Sequence, residues 1–513
     1  MSWLALHLPG LPLQVCSRAE GSADTPIAVF SPPRSSGHPW RYAPARRAGA
    51  SPPSGGRAGG SRVVAANARA LAAGVHPGLG LASALALAPD LVIRQRDSRG
   101  EAGLLTELAC WAAQFTPQLV LDPPDCVLLE VGASLRLFGG IGPLMTRIAH
   151  GGAALGLELA LAAAPTPLAA RWLAVCGGGR IVERLDELPA RLAPLPVGVL
   201  ESTPGTKDAV RAESIALLEA IGLGTIGECL HLPRDGLAKR DAQAVTRALD
   251  RALGRLPDPR LPFMPPQVFR SRIELPVPSA DADQLTFAAR RLLAALAGHL
   301  AAHQSGIEHY RLLLEHDEQP ATGLTVHLGV TSREEARCSL LAREHIAALQ
   351  LAAPVTAVAL EAAQILPLPG ESGTLFGAHF SSPREQAEAR TLLVERLRAR
   401  LGDDAVGCIV AHADHRPERA WQAVAPREGK STVAPSAHCL PPRPVWLLPE
   451  PQPLARSDTL QLVAGPERIE AGWWDGFDVA RDYHLALGPQ HQLLWVFREL
   501  RDGESWFVQG LFA

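Results

Sequence analysis

The stretch Asp125–Gly140, DCVLLEVGASLRLFGG, decides how this chain is read. Cys126–Val131 is an apolar run broken only by Glu130, the pattern of a hydrophobic strand. The paired Gly139-Gly140 then punctuates the chain before a helical period. Asp125 and Glu130 are the stretch's only acids. A strand ending in a turn can carry metal-dependent chemistry only with clustered carboxylates, because magnesium prefers octahedral oxygen ligation and binds thiol or imidazole poorly.

The amino-terminal stretch Trp3–Val15, WLALHLPGLPLQV, has a strand-turn-helix cadence and ends its strand at His7, with Pro9 two residues later. Together the two stretches resemble the palm of Y-family translesion DNA polymerases. In that family an Asp closes the first strand, and an adjacent Asp-Glu pair opens the second. Here His7, Pro9 and Cys126 stand at acidic positions of that frame, and Asp125 alone matches. Two-metal phosphoryl transfer needs the missing acids. The resemblance therefore implies the fold without the chemistry, with neither metal nor cofactor. A surviving polymerase would have to assemble its site from Asp125, Glu130 and Asp122.

The length of 513 residues allows about three or four domains at roughly 100–200 residues each. With 47% hydrophobic residues and 20% charged ones, substantial cores are expected. A formal charge of −3 confines any grip on nucleic acid to local basic patches. The eight cysteines, Cys16, Cys110, Cys126, Cys176, Cys229, Cys338, Cys408 and Cys439, include no CxxC pair. Their scatter argues against structural zinc and a disulfide framework and fits a reducing, cytoplasmic setting. No run reaches the ~18–20 apolar residues of a membrane span. The apolar start lacks a basic flank and is interrupted by Pro9, Gly10 and Pro12, as in a folded strand rather than a signal peptide.

The expected architecture is a multidomain α+β / α/β chain. Residues 1–185 form a palm and fingers-like region, with 31–61, rich in Ser, Pro, Gly and Arg, as a flexible insertion. In the fingers-like part, Ala68 and Leu71 fall where relatives contact the triphosphate, and they offer no hydrogen bond. The palm helix around Pro167–Val175 lacks the family's phosphate-contacting Lys and holds only Arg171. Residues 190–260 read as a thumb. Its Leu217–Leu232 segment has a helix-hairpin-helix cadence, in which the backbone at Gly222 and Gly224 would hold a DNA phosphate. Arg234, Lys239 and Arg240 follow it.

Residues 266–363 show a βαββαβ order like the little finger peculiar to the Y family, a separate module with Arg270, Arg272 and Arg311 on strands that could face phosphates. Residues 364–384 form a linker. Its Gln364-Ile365-Leu366-Pro367-Leu368 resembles the short extended peptides that bind bacterial sliding clamps, and Leu375-Phe376 offers a second apolar end.

Residues 385–513 have no counterpart in ordinary Y-family enzymes. His412, Asp414 and His415 invite a metal reading, but Arg416 and Arg419 repel a cation, so a hydrogen-bonded turn is expected there. The segments DHRPERAW, GPERIEAGWWDG, RDYH and the terminal WFVQGLFA resemble the catalytically degenerate Y-family homologues of bacterial SOS mutagenesis cassettes. That resemblance implies a non-catalytic, nucleoid-associated adaptor. It would join DNA, the sliding clamp, a RecA-like accessory protein and an error-prone C-family DNA polymerase. Trp473, Trp474 and Tyr483 are the expected partner anchors. A protein-interaction hub that never touches DNA is the other non-enzymatic reading.

Overall fold

The apolar runs at both ends of the palm-like region pair with each other. A computed structural model of the chain describes residues 2–18, 25–31, 61–203, 210–232, 243–368, 383–402, 405–424, 442–454, 460–501 and 505–512. Most of the 31–61 insertion lies outside these residues, as do Arg234, Lys239, Arg240, Leu375 and Phe376. Contacts divide the chain into two compact units, Met1–Gln386 and Ala387–Ala513.

In the first unit, β1 (Trp3–His7) leads into α1 (Leu11–Ser17). A small sheet follows, with β2 (Ile27–Phe30) between β3 (Val63–Ala66) and β4 (Val92–Gln95). Short helices α2 (Ala68–Ala72) and α3 (Leu81–Leu87) cover it through Ala70, Val75 and Ala84. Asn67 caps α2, its Oδ1 accepting from the Ala70 amide at 2.9 Å. Ala68 and Leu71 are exposed on this fingers-like unit and bring no polar side chain to it.

Then come α4 (Ser98–Ala112), β5 (Leu119–Asp122), β6 (Cys126–Glu130), α5 (Leu135–Phe138), α6 (Ile141–Ala154), β7 (Ala160–Ala164), α7 (Pro167–Val175) and β8 (Arg180–Ile181). The palm-like sheet has the order β5-β6-β1-β7-β8, with β1 antiparallel to both neighbours. Leu4 and Leu6 face the core shared with α4 and α6, whereas Ala5 and Leu128 face α7 and the thumb. Cover on both faces explains why these strands read as continuous apolar runs.

The thumb comprises α8 (Leu188–Leu192), α9 (Ala212–Ala220), α10 (Ile226–Leu230) and the helix Gln243–Ala252, packed on α7. The βαββαβ unit follows: β9 (Phe269–Ser279), the long helix Ala282–Ala302, β10 (Ser305–His316), β11 (Thr322–Ser332), the helix Glu335–Ala348 and β12 (Val355–Ala362). Its sheet order is β11-β10-β12-β9, and β13 (Leu366–Pro367) pairs with the start of β10.

This little-finger-like unit is not the separate module expected. Helix Ala282–Ala302 packs on α4, and one hydrophobic core runs from the palm sheet through both helices to the inner face of the β9–β12 sheet. The close approach depends on small residues. A Cβ on Gly151 or on Gly298 would lie 2.2 Å from the Trp111 ring, so that indole fits only because both positions lack one.

A helix (Pro383–Leu401) begins at the end of the first unit and continues into the second, where the hairpin β14 (Cys408–Ala411) and β15 (Trp421–Val424) follows it. Strands β16 (Trp446–Pro453), β17 (Gln461–Ala471), β18 (Val479–Leu487), β19 (Leu493–Glu499) and β20 (Trp506–Leu511) form an antiparallel sheet in the order β16-β20-β19-β18-β17. Ile469, Ala471, Tyr483, Trp495 and Phe497 fill its core.

Candidate functional site

Register brings the degenerate palm positions together, since His7 lies opposite Cys126 across β1 and β6. Pro9 follows at the turn into α1. His7 Nε2 lies 3.4 Å from Asp125 Oδ2. From α7, the fully buried Arg171 reaches the same corner. Its Nη2 donates to Asp125 Oδ1 at 2.9 Å, and its Nη1 donates to Asp122 Oδ2 at 3.0 Å and to the Asp122 carbonyl at 2.7 Å. Its Nε donates to the Ser202 carbonyl at 2.6 Å. From the thumb-to-finger connection, Arg260 Nη1 takes the other Asp122 oxygen at 2.7 Å, and its Nη2 donates to Asp258 at 2.6 Å.

Two guanidinium groups therefore hold the carboxylates of this corner. Burial pushes the Asp125 carboxyl up, but the bond to His7 and the charge of Arg171 outweigh it and hold it below its ordinary value. Burial pushes the Cys126 thiol up to about 12, which leaves it neutral near pH 7 and a poor ligand for a hard cation. Glu130 sits at the far end of β6, opposite Trp3, where it accepts from the Ser2 amide at 3.1 Å. Four residues at about 3.3 Å each separate it from the Cys126 end. Asp122, Asp125 and Glu130 thus do not converge, and no group of three His, Cys, Asp or Glu residues suited to a metal ion exists among the described residues. The residues present do not fit a magnesium pair.

The expected phosphate cradle in the thumb is also filled from within. Gly222 (φ 89°) turns the chain between α9 and α10, and its amide bonds to the Glu219 carbonyl. Glu228 Oε2 accepts from the Gly224 amide at 2.7 Å and from the Thr225 amide at 3.0 Å. Gly222 and Gly224 accordingly offer no free amide in this conformation, and a phosphate would have to displace a carboxylate. On the outer face of the β9–β12 sheet, Arg270 lies 3.4 Å from Glu361, and Arg272 lies 2.9 Å from Glu315 and 3.6 Å from Glu274. Arg311 is exposed over Gly323, with no acidic partner among the described residues. Glu361 thus pairs with Arg270, and Glu274 and Glu315 with Arg272, so two of the three arginines expected to face phosphates already have carboxylate partners.

In the clamp-like segment, Gln364 and Pro367 are exposed, while Leu366 and Leu368 are half-buried. In the second unit, Trp473 and Trp474 are 78% and 54% exposed, as is Phe477 at 67%, a residue that sequence reasoning passed over. Tyr483 is corrected from partner anchor to core residue. It is 1% exposed, stacks on Trp495 at 4.3 Å between centroids, and bonds through its hydroxyl to Gln509.

The loop carrying the exposed aromatics is organised by Arg416, itself 2% exposed. Arg416 Nη2 donates to Asp414 Oδ2 and to Asp475 Oδ2, both at 2.7 Å, and its Nη1 donates to the Phe477 carbonyl at 3.0 Å. The Arg416 amide donates to Asp414 Oδ1 at 2.8 Å, closing the hydrogen-bonded turn. Arg416 lies over the Trp474 ring and Arg419 over that of Phe477.

A palm-like sheet, a helical thumb and a βαββαβ unit define a Y-family polymerase-like fold with a C-terminal extension. Residues 26–174 match the model of the impB/mucB/samB family. Among curated proteins, the chain is similar to Protein ImuB of Caulobacter vibrioides, in strains NA1000 / CB15N and ATCC 19089 / CIP 103742 / CB 15. Identity to each is 27% over 472 residues, covering 86% of this chain and 100% of the relative. The chain is thus similar to ImuB over most of its length, with the impB/mucB/samB match falling in its palm and fingers-like region.

Similar solved structures include an insertion ternary complex of Dbh DNA polymerase, with 14% identity, TM-score 0.37, and coverage of 71% of this chain and 99% of that one. DinB from Sulfolobus solfataricus matches with 14% identity, TM-score 0.37, and coverage of 72% and 100%. No helix among the described residues is long and apolar enough to cross a membrane.

Proposed function

We propose that the chain is a non-catalytic adaptor in damage-induced translesion synthesis, built on a polymerase fold. It links the sliding clamp, a RecA-like accessory protein and an error-prone C-family DNA polymerase. The observation that carries the reading is Arg171, whose guanidinium bonds to Asp122 and Asp125 where a catalytic palm would present free carboxylates. A fixed cation in that place neutralises the acids and opposes any divalent ion beside it. The clamp contact is assigned to Gln364, Leu366, Pro367 and Leu368, with Leu375 and Phe376 as the second register. Trp473 and Trp474 are assigned to the polymerase or accessory partner, since exposed aromatics on a fixed loop suit interface anchors.

The test is primer extension by the purified chain on a primed template with magnesium and four deoxynucleotides, beside an active Y-family polymerase. The adaptor reading expects no incorporation while the control extends. Incorporation that survives repurification and disappears in Asp125→Ala would overturn it.

A second reading, a hub that does not bind DNA, is favoured by the carboxylates paired with Arg270 and Arg272 and by the Glu228 carboxylate in the thumb turn. A salt-sensitive mobility shift of primed DNA decides between the two.

A further inference from the structure

The clamp-like peptide is already paired within its own unit. Leu366 lies opposite Gly306 and Pro367 opposite Ser305, antiparallel to the first residues of β10. The Leu368 amide donates to the Gln304 carbonyl at 3.1 Å, so the hydrogen-bonded positions of this short ladder fall on Leu366 and Leu368. Pro367 occupies the intervening position, whose amide would point away from β10, so its missing N–H leaves the pairing intact. Ile365 packs against the core shared by the palm-like sheet and the β9–β12 sheet. Four consecutive residues are thereby fastened.

A peptide that plugs an apolar cleft presents itself as an extended strand with alternate side chains buried in the partner. Leu366 and Leu368 cannot enter such a cleft while they lie half-buried along β10. We propose that β13 is a latch: pairing with Gln304–Gly306 withholds the Gln364–Leu368 peptide, and clamp binding requires it to peel from β10. The inference rests on the clamp reading of that segment. It adds that affinity is set by the fraction of molecules with the strand released. The short β13 ladder and one half-buried isoleucine hold that fraction to a few per cent, so the intact chain binds about 10- to 100-fold more weakly than a permanently open one.

The full-length chain carrying Ser305→Cys with Pro367→Cys provides the test. The two positions face each other in a non-hydrogen-bonded antiparallel pair, where Cα atoms lie about 4.5 Å apart, within the roughly 4.4–6.8 Å that a disulfide spans. Binding to a bacterial sliding clamp is measured by surface plasmon resonance after mild oxidation, with the disulfide verified by mass, and again after reduction. Wild type and both single variants are treated alike, and the reduced double variant is read against Pro367→Cys alone, which carries any loss from that contact itself.

The latch expects the oxidised double variant to bind at least 10-fold more weakly than its reduced form. It also expects Ile365→Ala to bind several-fold more tightly than wild type. Failure of the disulfide to form, or equal binding by the oxidised and reduced forms while Gln364→Ala with Leu368→Ala abolishes binding, overturns the latch and leaves the clamp reading standing. If wild type does not bind, or Gln364→Ala with Leu368→Ala binds as wild type does, the clamp reading fails and the latch with it.

Discussion

Two arginine forks in this molecule make the same bonds to opposite ends. Arg171 in the first unit and Arg416 in the second each bond to a pair of aspartates and to backbone carbonyls, two for Arg171 and one for Arg416, and each is almost wholly buried. In the palm-like corner, the aspartates stand at the end of β5 and in the turn before β6, so pairing them fills that corner with the chain's own cation. In the second unit, Asp475 belongs to the loop itself. Pairing it draws the backbone at Asp475 and Phe477 inward and leaves Trp473, Trp474 and Phe477 outside. Whether an internal ion pair closes a site or presents one depends on what its carboxylates are attached to.

The largest effect that would break this comparison is expected at the buried fork. Arg171→Ala leaves Asp122 and Asp125 without their shared cation, a loss of about 3–5 kcal/mol for a buried pair with one partner removed. Urea denaturation reads it directly. A loss within experimental error would mean that His7 and Arg260 hold the corner without Arg171. Arg171→Lys should recover only part of the stability, because one ammonium cannot bridge two carboxylates and a carbonyl in fork geometry.

At the presenting fork, Arg416→Ala should weaken binding to the C-family polymerase or the accessory protein by about 30-fold or more, as removal of a hot-spot support does. It should also flatten the near-UV circular dichroism of the tryptophans. Trp473→Ala with Trp474→Ala should give the same binding loss without disturbing the fold. Normal partner binding by that double variant would show that the fork presents nothing that a partner uses.

The palm strands were legible in the sequence because a strand buried on both faces leaves an unmistakable apolar run, and the lack of a carboxylate at His7, Pro9 and Cys126 could be read by identity alone. The role of Arg171 was not legible. Its partners lie 49 and 46 residues upstream, and only the closing of α7 against β5 and β6 brings a lone cation of an apolar helix to them. Arg270 and Arg272 could be placed on a strand. Their neutralisation comes from Glu315 and Glu361 on other strands, a cross-strand relation that local pattern does not carry. Tyr483 was misread because aromatic type is the same for an anchor and a core residue. The alternation of β18 was the available signal, and burial of Val479, Ala480, Asp482, Tyr483 and Ala486 blurs it.

The thumb turn extends the comparison with the sign reversed, since there a carboxylate stands where an anion would bind. Glu228→Ala frees the Gly224 and Thr225 amides while Thr225 keeps its own bond to the residue-228 amide. If the thumb meets DNA at all, affinity should rise about two- to five-fold, the scale of one charge at a helix terminus. The gain should shrink with added salt. An unchanged or weaker mobility shift would place the DNA contact elsewhere.

The smallest effect expected is a pH dependence of the presenting fork, and its direction follows from Asp414. The hydrogen bond from Arg416 lowers that carboxyl to about 2 against some cost of desolvation. A carboxyl held below its unfolded value, near 4, stabilises the fold above that value and loses its contribution as pH falls toward the folded one. Asp475 is lowered in the same direction, again first by Arg416. The tryptophan fluorescence that Trp473→Ala with Trp474→Ala removes should therefore stay constant from neutral pH down to about 4 and change between about 4 and 2. A transition above pH 5 would mean that Asp414 and Asp475 do not control the loop. The exposed aromatics would then be held by something other than the Arg416 fork, and the kinship with the Arg171 corner would be lost.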